Sequence, residues 1–144
     1  MAERPAMITE RPLPEVTPLT EPFWSAARSQ RLVLQRCKAC DAYRFPPEVG
    51  CYACGSPEAA WSEVSGRATL YSWTVAHPPI LPYFQERVPW PVVAVELEEG
   101  PRMVTNLIDV PIEEYEIGMP LQVAFEEIDE ELSLVVFRPR REAS

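Results

Sequence analysis

The sequence has few of the residues that most often perform chemistry in an active site. Its 144 residues include one histidine, His77, and one lysine, Lys38. The motifs of a G-x-S-x-G nucleophile, a phosphate-binding P-loop and a G-x-G-x-x-G dinucleotide turn are absent. A lone histidine at the end of a predicted strand is more often a structural hydrogen-bonding residue than a general base. These absences argue against an enzyme that acts on its own.

Long apolar segments are also missing. No stretch approaches the roughly 18 apolar residues of a membrane span, and the N-terminus lacks the apolar core of a secretory signal peptide. We therefore expect a cytoplasmic protein without membrane contact. Apolar residues make up 47% of the chain and charged residues 24%, which is the balance of a globular protein and not of a disordered one.

Basic side chains are scarce where a nucleic acid would need them. The net charge is −9, and residues 1–72 hold 8 acidic and 8 basic side chains, whereas residues 73–144 hold 14 and 5. Binding to a phosphate backbone depends on lysine and arginine, so we do not expect a nucleic-acid partner. A small phosphorylated cofactor is still compatible with this composition, because one arginine can hold one anionic group in bidentate geometry.

Proline, in contrast, is abundant. The chain has 17 prolines in 144 residues, more than twice the usage of about 5% that is typical of proteins. Proline removes a backbone donor and clashes with the preceding turn, so long uninterrupted helices are not expected. Residues 1–16 show no hydrophobic period, and we interpret them as an extended or mobile arm.

One short helix is predicted after this arm, and we assign residues 1–30 to the arm and the helix together. Thr20 is typical of a helix N-cap and Pro22 of the first turn, and Phe23 and Trp24 would lie on an apolar side. That side either packs on the rest of the protein or contacts a partner, since a short helix beside a loose arm is a common docking element. Phe23 and Trp24 are therefore candidate contact residues.

Four cysteines form the clearest motif in the sequence. Cys37 and Cys40 make one C-x-x-C turn, and Cys51 and Cys54 make a second one after ten intervening residues. Two such turns on facing hairpins supply four thiolates in a tetrahedron, the geometry of a structural zinc site. Two disulfides are not expected without a secretion signal, and a thioredoxin-type redox site has a single C-x-x-C in a βαβ context. Iron bound as in rubredoxin uses the same ligands and is the open alternative to zinc.

The length of the cysteine region supports a structural metal. Residues 31–64 are too few to bury a self-sufficient core, and metal binding in small zinc modules supplies on the order of 10–16 kcal/mol. A closed four-cysteine site has no open coordination position, so we expect no cysteine to act as a catalytic nucleophile.

Five strands are predicted after the cysteines, at residues 66–77, 91–98, 102–109, 120–127 and 131–137, with one possible helical turn at 111–116. Five strands with a short connection between the third and fourth match the partly open Greek-key barrel called the OB-fold. The alternatives are a small sandwich and an SH3-like barrel. The predicted fold is thus mainly β: an N-terminal helix, a rubredoxin-like zinc ribbon at 31–64, and a five-stranded OB-fold barrel with a short C-terminal tail at 65–144.

The segment 77–91, HPPILPYFQERVPWP, is the predicted loop between the first two barrel strands, a common ligand-binding element of the OB-fold. Its five prolines lower the ordering cost of binding, and aromatic residues beside an arginine are typical of interface hot spots. The alternative is that the loop caps the open end of the barrel. The candidate contact residues of this loop are His77, Tyr83, Phe84, Arg87 and Trp90.

Several of these segments together resemble a known family. They are Leu32 to Cys37 as L-x-x-Q-R-C, the paired C-x-x-C turns, Gly66 before a Tyr/Trp/Val strand, Ile117 to Leu121 as IGMPL, and a terminal Phe137-Arg138-Pro139. In this order they resemble the zinc-ribbon plus OB-fold family known as domain of unknown function 35, over roughly residues 17–139.

The resemblance implies a function that composition alone does not. Members are small proteins, or domains appended to acyl-CoA hydratases, that partner thiolases, sterol-carrier-type thiolases or thiolase-like aldolases of steroid side-chain CoA thioesters. The chain would then be a non-catalytic accessory subunit in acyl-CoA, lipid or steroid metabolism, with zinc on Cys37, Cys40, Cys51 and Cys54. It would stabilise the partner and help to hold the CoA thioester. The alternatives are a stand-alone acyl-CoA-binding module and, third, a single-stranded nucleic-acid-binding OB-fold protein.

Overall fold

The structure is a computed structural model that describes residues 11–77 and 82–141. Most of the predicted arm, and residues 78–81 of the proline-rich loop, lie outside these ranges. Residues 11–16 form neither helix nor strand. Within the described ranges, no helix is long and apolar enough to cross a membrane.

The predicted helix is α1, Glu21–Arg28, with Thr20 at the N-cap and a proline in the first turn. The hydroxyl of Thr20 does not cap the helix, because it is engaged with the backbone and hydroxyl of Thr17. Phe23 and two alanines of α1 are buried against the rest of the chain.

The cysteine region contains a small three-stranded antiparallel sheet. Its strands are β1 (Val33–Cys37), β2 (Tyr43–Arg44) and β3 (Ala59–Glu63), in the order β2-β1-β3. β1 is the central strand and is buried along most of its length. Both C-x-x-C turns lie between β1 and β3, as expected of a ribbon.

A second sheet of five antiparallel strands follows. Its strands, in the order β6-β5-β4-β7-β8, are β4 (Arg67–Ala76), β5 (Trp90–Leu97), β6 (Arg102–Thr105), β7 (Pro120–Glu127) and β8 (Ser133–Pro139). A short helix, α2 (Pro82–Gln85), lies between β4 and β5, and a single 3-10 turn, Ile112–Glu114, lies between β6 and β7. Strand number, order and the position of the helical turn agree with the predicted OB-fold.

The sheet closes into a barrel where β6 ends. The chain bridges in parallel from Leu107 to Phe137 on β8, and the Thr105 hydroxyl donates to the Val135 carbonyl at 2.7 Å. The third barrel strand, predicted at 102–109, therefore ends at Thr105, because the residues after it change partner from β5 to β8. This closure buries a core to which α1 and β1 also contribute.

One glycine is required where the small sheet joins the barrel. Gly66 has φ +81°, and a Cβ atom added to it would lie 2.4 Å from Cγ1 of Val123 on β7. A side chain at this position would be strained both by the backbone and by the close approach of the barrel.

Strand β4 extends beyond the closed part of the barrel. It pairs with β7 only from Arg67 to Thr69, but with β5 as far as Ala76, and the register shifts at a bulge between Leu70 and Ser72. The outer half of β4, residues 72–76, therefore has β5 as its one neighbouring strand among the described residues.

Candidate functional site

The two C-x-x-C turns have the same backbone structure. In each turn the carbonyl of the first cysteine accepts from the N–H four residues later, and its own N–H donates to the carbonyl five residues later. The N···O distances are 2.7 to 2.9 Å for Cys37 with Asp41 and Ala42 and for Cys51 with Gly55 and Ser56. Asp41 and Gly55 occupy equivalent positions with φ of 68° and 84°. Aspartate and glycine are among the residues that best tolerate this left-handed conformation.

The turns bring all four sulfur atoms together. The Sγ atoms of Cys37 and Cys54 are 3.6 Å apart, those of Cys40 and Cys51 are 3.7 Å apart, and all four lie within 4.8 Å of one another. A tetrahedral ion with metal–sulfur bonds of about 2.3 Å requires sulfur–sulfur distances of about 3.8 Å. The donor set and its spacing therefore fit one zinc ion. Among the described residues, this is the only group of three or more potential cysteine, histidine or carboxylate ligands.

The environment favours thiolate formation unequally at the four cysteines. Backbone N–H groups of Cys54 and Ala53 lower the pKa of Cys51 to about 6, and the N–H of Cys40 lowers the pKa of Cys37. The N–H of Ala42 lowers the pKa of Cys40, but the side chain of Cys51 and desolvation raise it to about 12 overall. Thiolates this close repel one another, so all four ionise together only around a cation.

Three residues of the ribbon, Gln35, Arg44 and Glu48, form a polar network between the two turns. The side-chain oxygen of Gln35 accepts from Arg44 Nε and from the backbone N–H of Glu48, each at 2.8 Å. Arg44 Nη2 also donates to the Glu48 carbonyl at 3.1 Å, and Arg44 is only 2% exposed. This network ties β1 and β2 to the loop that leads to the second turn. No sequence pattern predicts this network, although Gln35 is part of the L-x-x-Q-R-C motif.

Four of the predicted contact residues form one cluster beside the barrel. The rings of Tyr83 and Phe84 meet edge to face with centroids 4.9 Å apart, and the Phe84 ring lies 4.8 Å from that of Trp90. The Arg87 guanidinium lies 3.7 Å from the Tyr83 ring centroid and donates to the Tyr83 carbonyl. We call Tyr83, Phe84, Arg87 and Trp90 the aromatic surface. Its three rings are half-buried and its arginine is exposed.

The other candidate contact residues lie elsewhere. His77 is exposed immediately after β4. Phe23 is only 4% exposed, and its ring centroid is 4.9 Å from that of Trp24 and 5.4 Å from that of Phe45. Trp24 is half-buried and lines an apolar groove of about 340 Å³ between α1 and the strands β6 and β8. The apolar side of α1 thus packs on the rest of the protein, and contact of Phe23 or Trp24 with a partner stays a prediction.

Two family models match consecutive parts of the chain. The model described as "ChsH2, rubredoxin-like zinc ribbon domain" matches residues 24–59, and the model described as "ChsH2, C-terminal OB-fold domain" matches residues 61–126. Together with the sulfur geometry, these matches confirm the predicted fold and zinc as the structural metal. The exact boundaries at 30 and 64 stay predictions.

Curated relatives include proteins of different lengths. A Thermomonospora curvata protein named "Probable enoyl-CoA hydratase alpha subunit" is 43% identical over 129 residues, which are 90% of this chain but 40% of the relative. This chain therefore spans less than half of that relative's length. A Methanocaldococcus jannaschii protein named "DUF35 domain-containing scaffold protein" is 31% identical over 102 residues, which are 69% of this chain and 71% of the relative.

A solved structure is similar over nearly the whole fold. One chain of the structure described as "Ltp2-ChsH2(DUF35) aldolase" is 42% identical, with a TM-score of 0.78, and the match covers 88% of this chain and 98% of that one. The family predicted from the sequence motifs is confirmed. The chain belongs to the DUF35 family, in which a zinc ribbon is followed by an OB-fold domain.

Proposed function

We propose that the chain is a non-catalytic subunit that binds and stabilises a thiolase-like enzyme acting on CoA thioesters. The similarity to a chain of the Ltp2-ChsH2(DUF35) aldolase structure and to a relative named as a scaffold supports this role. The observation that carries the proposal is the aromatic surface, a cluster of three contacting rings and one arginine beside the barrel.

The aromatic surface has the composition and rigidity of an interface hot spot. Tyrosine, tryptophan and arginine are enriched at hot spots, where truncation of one such residue to alanine costs about 2 kcal/mol or more of binding free energy. The Arg87 guanidinium is fixed on the Tyr83 ring, and prolines at 82, 89 and 91 restrict the flanking backbone. Little conformational entropy is therefore lost when a partner covers these side chains.

The zinc ribbon has a different part in this proposal. Its closed set of four cysteines leaves no coordination position for a substrate, so the bound metal would supply folding stability and no reaction step. The Gln35, Arg44 and Glu48 network and the four cysteines would hold the ribbon rigid against α1 and the barrel. We propose that the edge of the partner contact includes His77, Phe23 and Trp24.

We propose that the CoA thioester is held mainly by the partner, with this chain contributing at the edge of the site. The Arg87 guanidinium stacks on the Tyr83 ring and donates from Nη1 to the Tyr83 carbonyl, so part of its hydrogen-bonding capacity is already used within the chain. The steroid side-chain and acyl-chain specificities that the family resemblance implies belong to the same proposal.

Co-expression tests the partner claim. The tagged chain is produced together with the thiolase-like protein encoded nearest to its gene, and the mass of the purified product is measured. We expect a hetero-oligomer containing both proteins and stoichiometric zinc. A monodisperse monomer that never retains the thiolase-like protein would contradict the proposal.

A second candidate, binding of acyl-CoA by the chain alone, is favoured by the apolar groove beside Trp24. A groove of about 340 Å³ is at the lower limit of ordinary ligand pockets. Titration calorimetry of the isolated chain with a long-chain acyl-CoA separates the two functions. The scaffold proposal predicts no measurable heat. If acyl-CoA binds, and Trp24→Ala removes this binding while Trp90→Ala does not, the second candidate is supported instead.

A further inference from the structure

The outer half of β4 ends the sheet with an open edge. Before the bulge, the N–H and C=O of Leu70 bond to Met119 and Gly118 on the β7 side. After the bulge, β4 continues for residues 72–76 alongside β5, but the pairing with β7 has already ended at Thr69. Within the described ranges, no strand occupies the position next to residues 72–76.

The hydrogen-bond pattern shows which backbone groups this edge presents. Even-numbered residues of β5 bond to β4, as the bond from Glu98 N–H to the Arg67 carbonyl indicates. Odd-numbered residues of β5 face β6, because the Asn106 side chain donates to the Pro91 carbonyl and the Leu97 N–H to the Pro101 carbonyl. Trp73 and Val75 pair with odd-numbered residues of β5. Their own N–H and C=O groups therefore point away from β5 and toward the open edge.

This edge lacks the usual protection against strand addition. Natural sheets block open edges with lysine, other charged residues or proline. Residues 72–76 contain neither a charged side chain nor a proline, although 24% of the whole chain is charged and prolines follow at 78, 79 and 82. Four consecutive residues, 71–74, are exposed, including Tyr71 at 45% and Trp73 at 36%. The Tyr71 ring lies 3.9 Å from the Arg102 guanidinium, and the Trp73 ring packs edge to face on Tyr115 at 5.4 Å. These contacts involve side chains and leave the backbone of the uncharged edge free to pair with another strand.

We infer that an extended, uncharged segment of the thiolase-like partner adds to the outer half of β4 as the next strand of the sheet. This inference rests on the proposed function and specifies how the partner docks. The edge is continuous with the aromatic surface, because Ala76 pairs with Trp90, whose ring contacts Phe84. Main-chain bonds along the edge would supply affinity, and the aromatic surface would supply selectivity.

Charge favours a different protein over a second copy of this chain. Residues 73–144 carry 14 acidic and 5 basic side chains, so pairing two copies along β4 would bring two acidic barrels together. Self-repulsion of this kind opposes association at low and moderate ionic strength. A partner strand without acidic residues avoids this repulsion.

A proline substitution tests the edge with a matched control. Val75→Pro removes an outward-pointing N–H and places a ring in the path of the incoming strand, while leaving the bonds between β4 and β5 intact. Val104→Pro on β6 is the control, because Val104 is 74% exposed. Val104 pairs with Ala94, whose backbone groups bond to β4 and not to β6, so the Val104 N–H also points away from β5. Zinc content and thermal midpoint of both variants are compared with those of the unchanged chain.

Affinity for the thiolase-like protein is the main measurement. We expect Val75→Pro to weaken binding about tenfold or more and Val104→Pro to leave it within about threefold. If the unchanged chain forms the complex but the two variants bind with equal affinity, strand addition is overturned. Absence of a complex with the unchanged chain would overturn the proposed function and this inference together.

Amide exchange of the unchanged chain gives a readout that does not depend on a variant folding. In the complex, the amides of Trp73 and Val75 should slow about tenfold or more, whereas those of Ser72 and Thr74, already bonded to β5, should change little. Unaltered exchange at Trp73 and Val75 would overturn the inference. So would sedimentation of the free chain as a dimer that Val75→Pro converts to a monomer, since a second copy would then occupy the edge.

Discussion

The ribbon and the barrel are neighbouring β-structures that are stabilised in different ways. Of the nine largest fully buried side chains among the described residues, seven lie on barrel strands and two, Leu34 and Cys37, lie on the ribbon. The ribbon instead positions four sulfur atoms for a metal and uses a buried polar network around Arg44. The barrel strands supply most of the apolar core, to which α1 and β1 also contribute.

The difference indicates which region is suited to partner binding. The ribbon has exposed apolar side chains too, Val49 and Tyr52, but they occur singly on turns. On the barrel, the rings of Tyr83, Phe84 and Trp90 instead form one cluster, and Trp90 pairs with Ala76 at the end of β4. Scattered apolar residues are ordinary on a protein surface, whereas clustered apolar side chains are typical of interaction sites.

Removal of the metal should have the largest effect, because it should unfold the ribbon while the barrel stays folded. Metal binding contributes on the order of 10–16 kcal/mol in small zinc modules, and the ribbon has little buried apolar area to replace it. Chelation at neutral pH should abolish the amide protection of residues 33–63, measured by NMR exchange, while β5 and β7 keep theirs. Cys54→Ser should act in the same direction. Simultaneous unfolding of both sheets would contradict independent stabilisation.

A cavity in the barrel core should have the next largest effect. Phe137→Ala removes a fully buried ring and should lower the free energy of unfolding by about 3–5 kcal/mol in a denaturant titration. Zinc stoichiometry of the folded protein should stay at one. The control Ile117→Ala, at an exposed position, should change stability by about 0.5 kcal/mol or less. Loss of zinc in folded Phe137→Ala would show that the ribbon depends on the barrel core.

Truncation of one aromatic side chain should distinguish the two regions as contact surfaces. Phe84→Ala removes the ring between Tyr83 and Trp90 and should weaken binding of the thiolase-like protein by about 2 kcal/mol, or roughly thirtyfold. Tyr52→Ala, on the second cysteine turn, is the matched control and should leave the affinity unchanged. A larger loss from Tyr52→Ala would place the contact on the ribbon.

The smallest expected effect concerns pH. A hydrogen bond from Arg67 to Glu98, at 2.6 Å, lowers the pKa of Glu98 below its ordinary value of 4.5. A lowered folded-state pKa stabilises the protein above pH 4.5, and this contribution is lost as pH falls through the folded value. Arg67→Met should therefore reduce stability slightly at about pH 7 and not at about pH 2. Both groups are half exposed, so the effect should be small. An equal reduction in stability at both pH values would indicate lost packing instead of a lost ion pair.

Sequence alone predicted the parts whose chemistry is local. The C-x-x-C spacing determines the metal site because each turn is fixed by its own backbone bonds, and Gly55 marks the left-handed position of the second turn. The five barrel strands follow from alternation and from turn residues such as Gly100. Alternation alone does not distinguish small barrels, and it was the strand count and the position of the helical turn that favoured the OB-fold, in agreement with the family motifs.

The remaining features depend on contacts between distant segments. Phe23 has the apolar character of a docking residue, but the fold buries it against Phe45. Strand β6 ends early because barrel closure redirects the chain to β8. The role of Arg44 is invisible in the sequence, because burial of a charged side chain depends on Gln35 across the strand pair. The open edge of β4 depends on where β7 stops pairing, which no local pattern specifies.

We interpret the ribbon as a support that is held together by the metal, and the barrel as the region that contacts the partner. Amide exchange over the whole chain, measured with and without the thiolase-like protein, is the most direct test of this interpretation. In the zinc-bound protein, partner addition should slow exchange in the outer half of β4, in α2 and in the first half of β5. Exchange in residues 37–56, which contain both cysteine turns, should stay unchanged. Slowing confined to those turns, with none in β4, α2 or β5, would contradict the account.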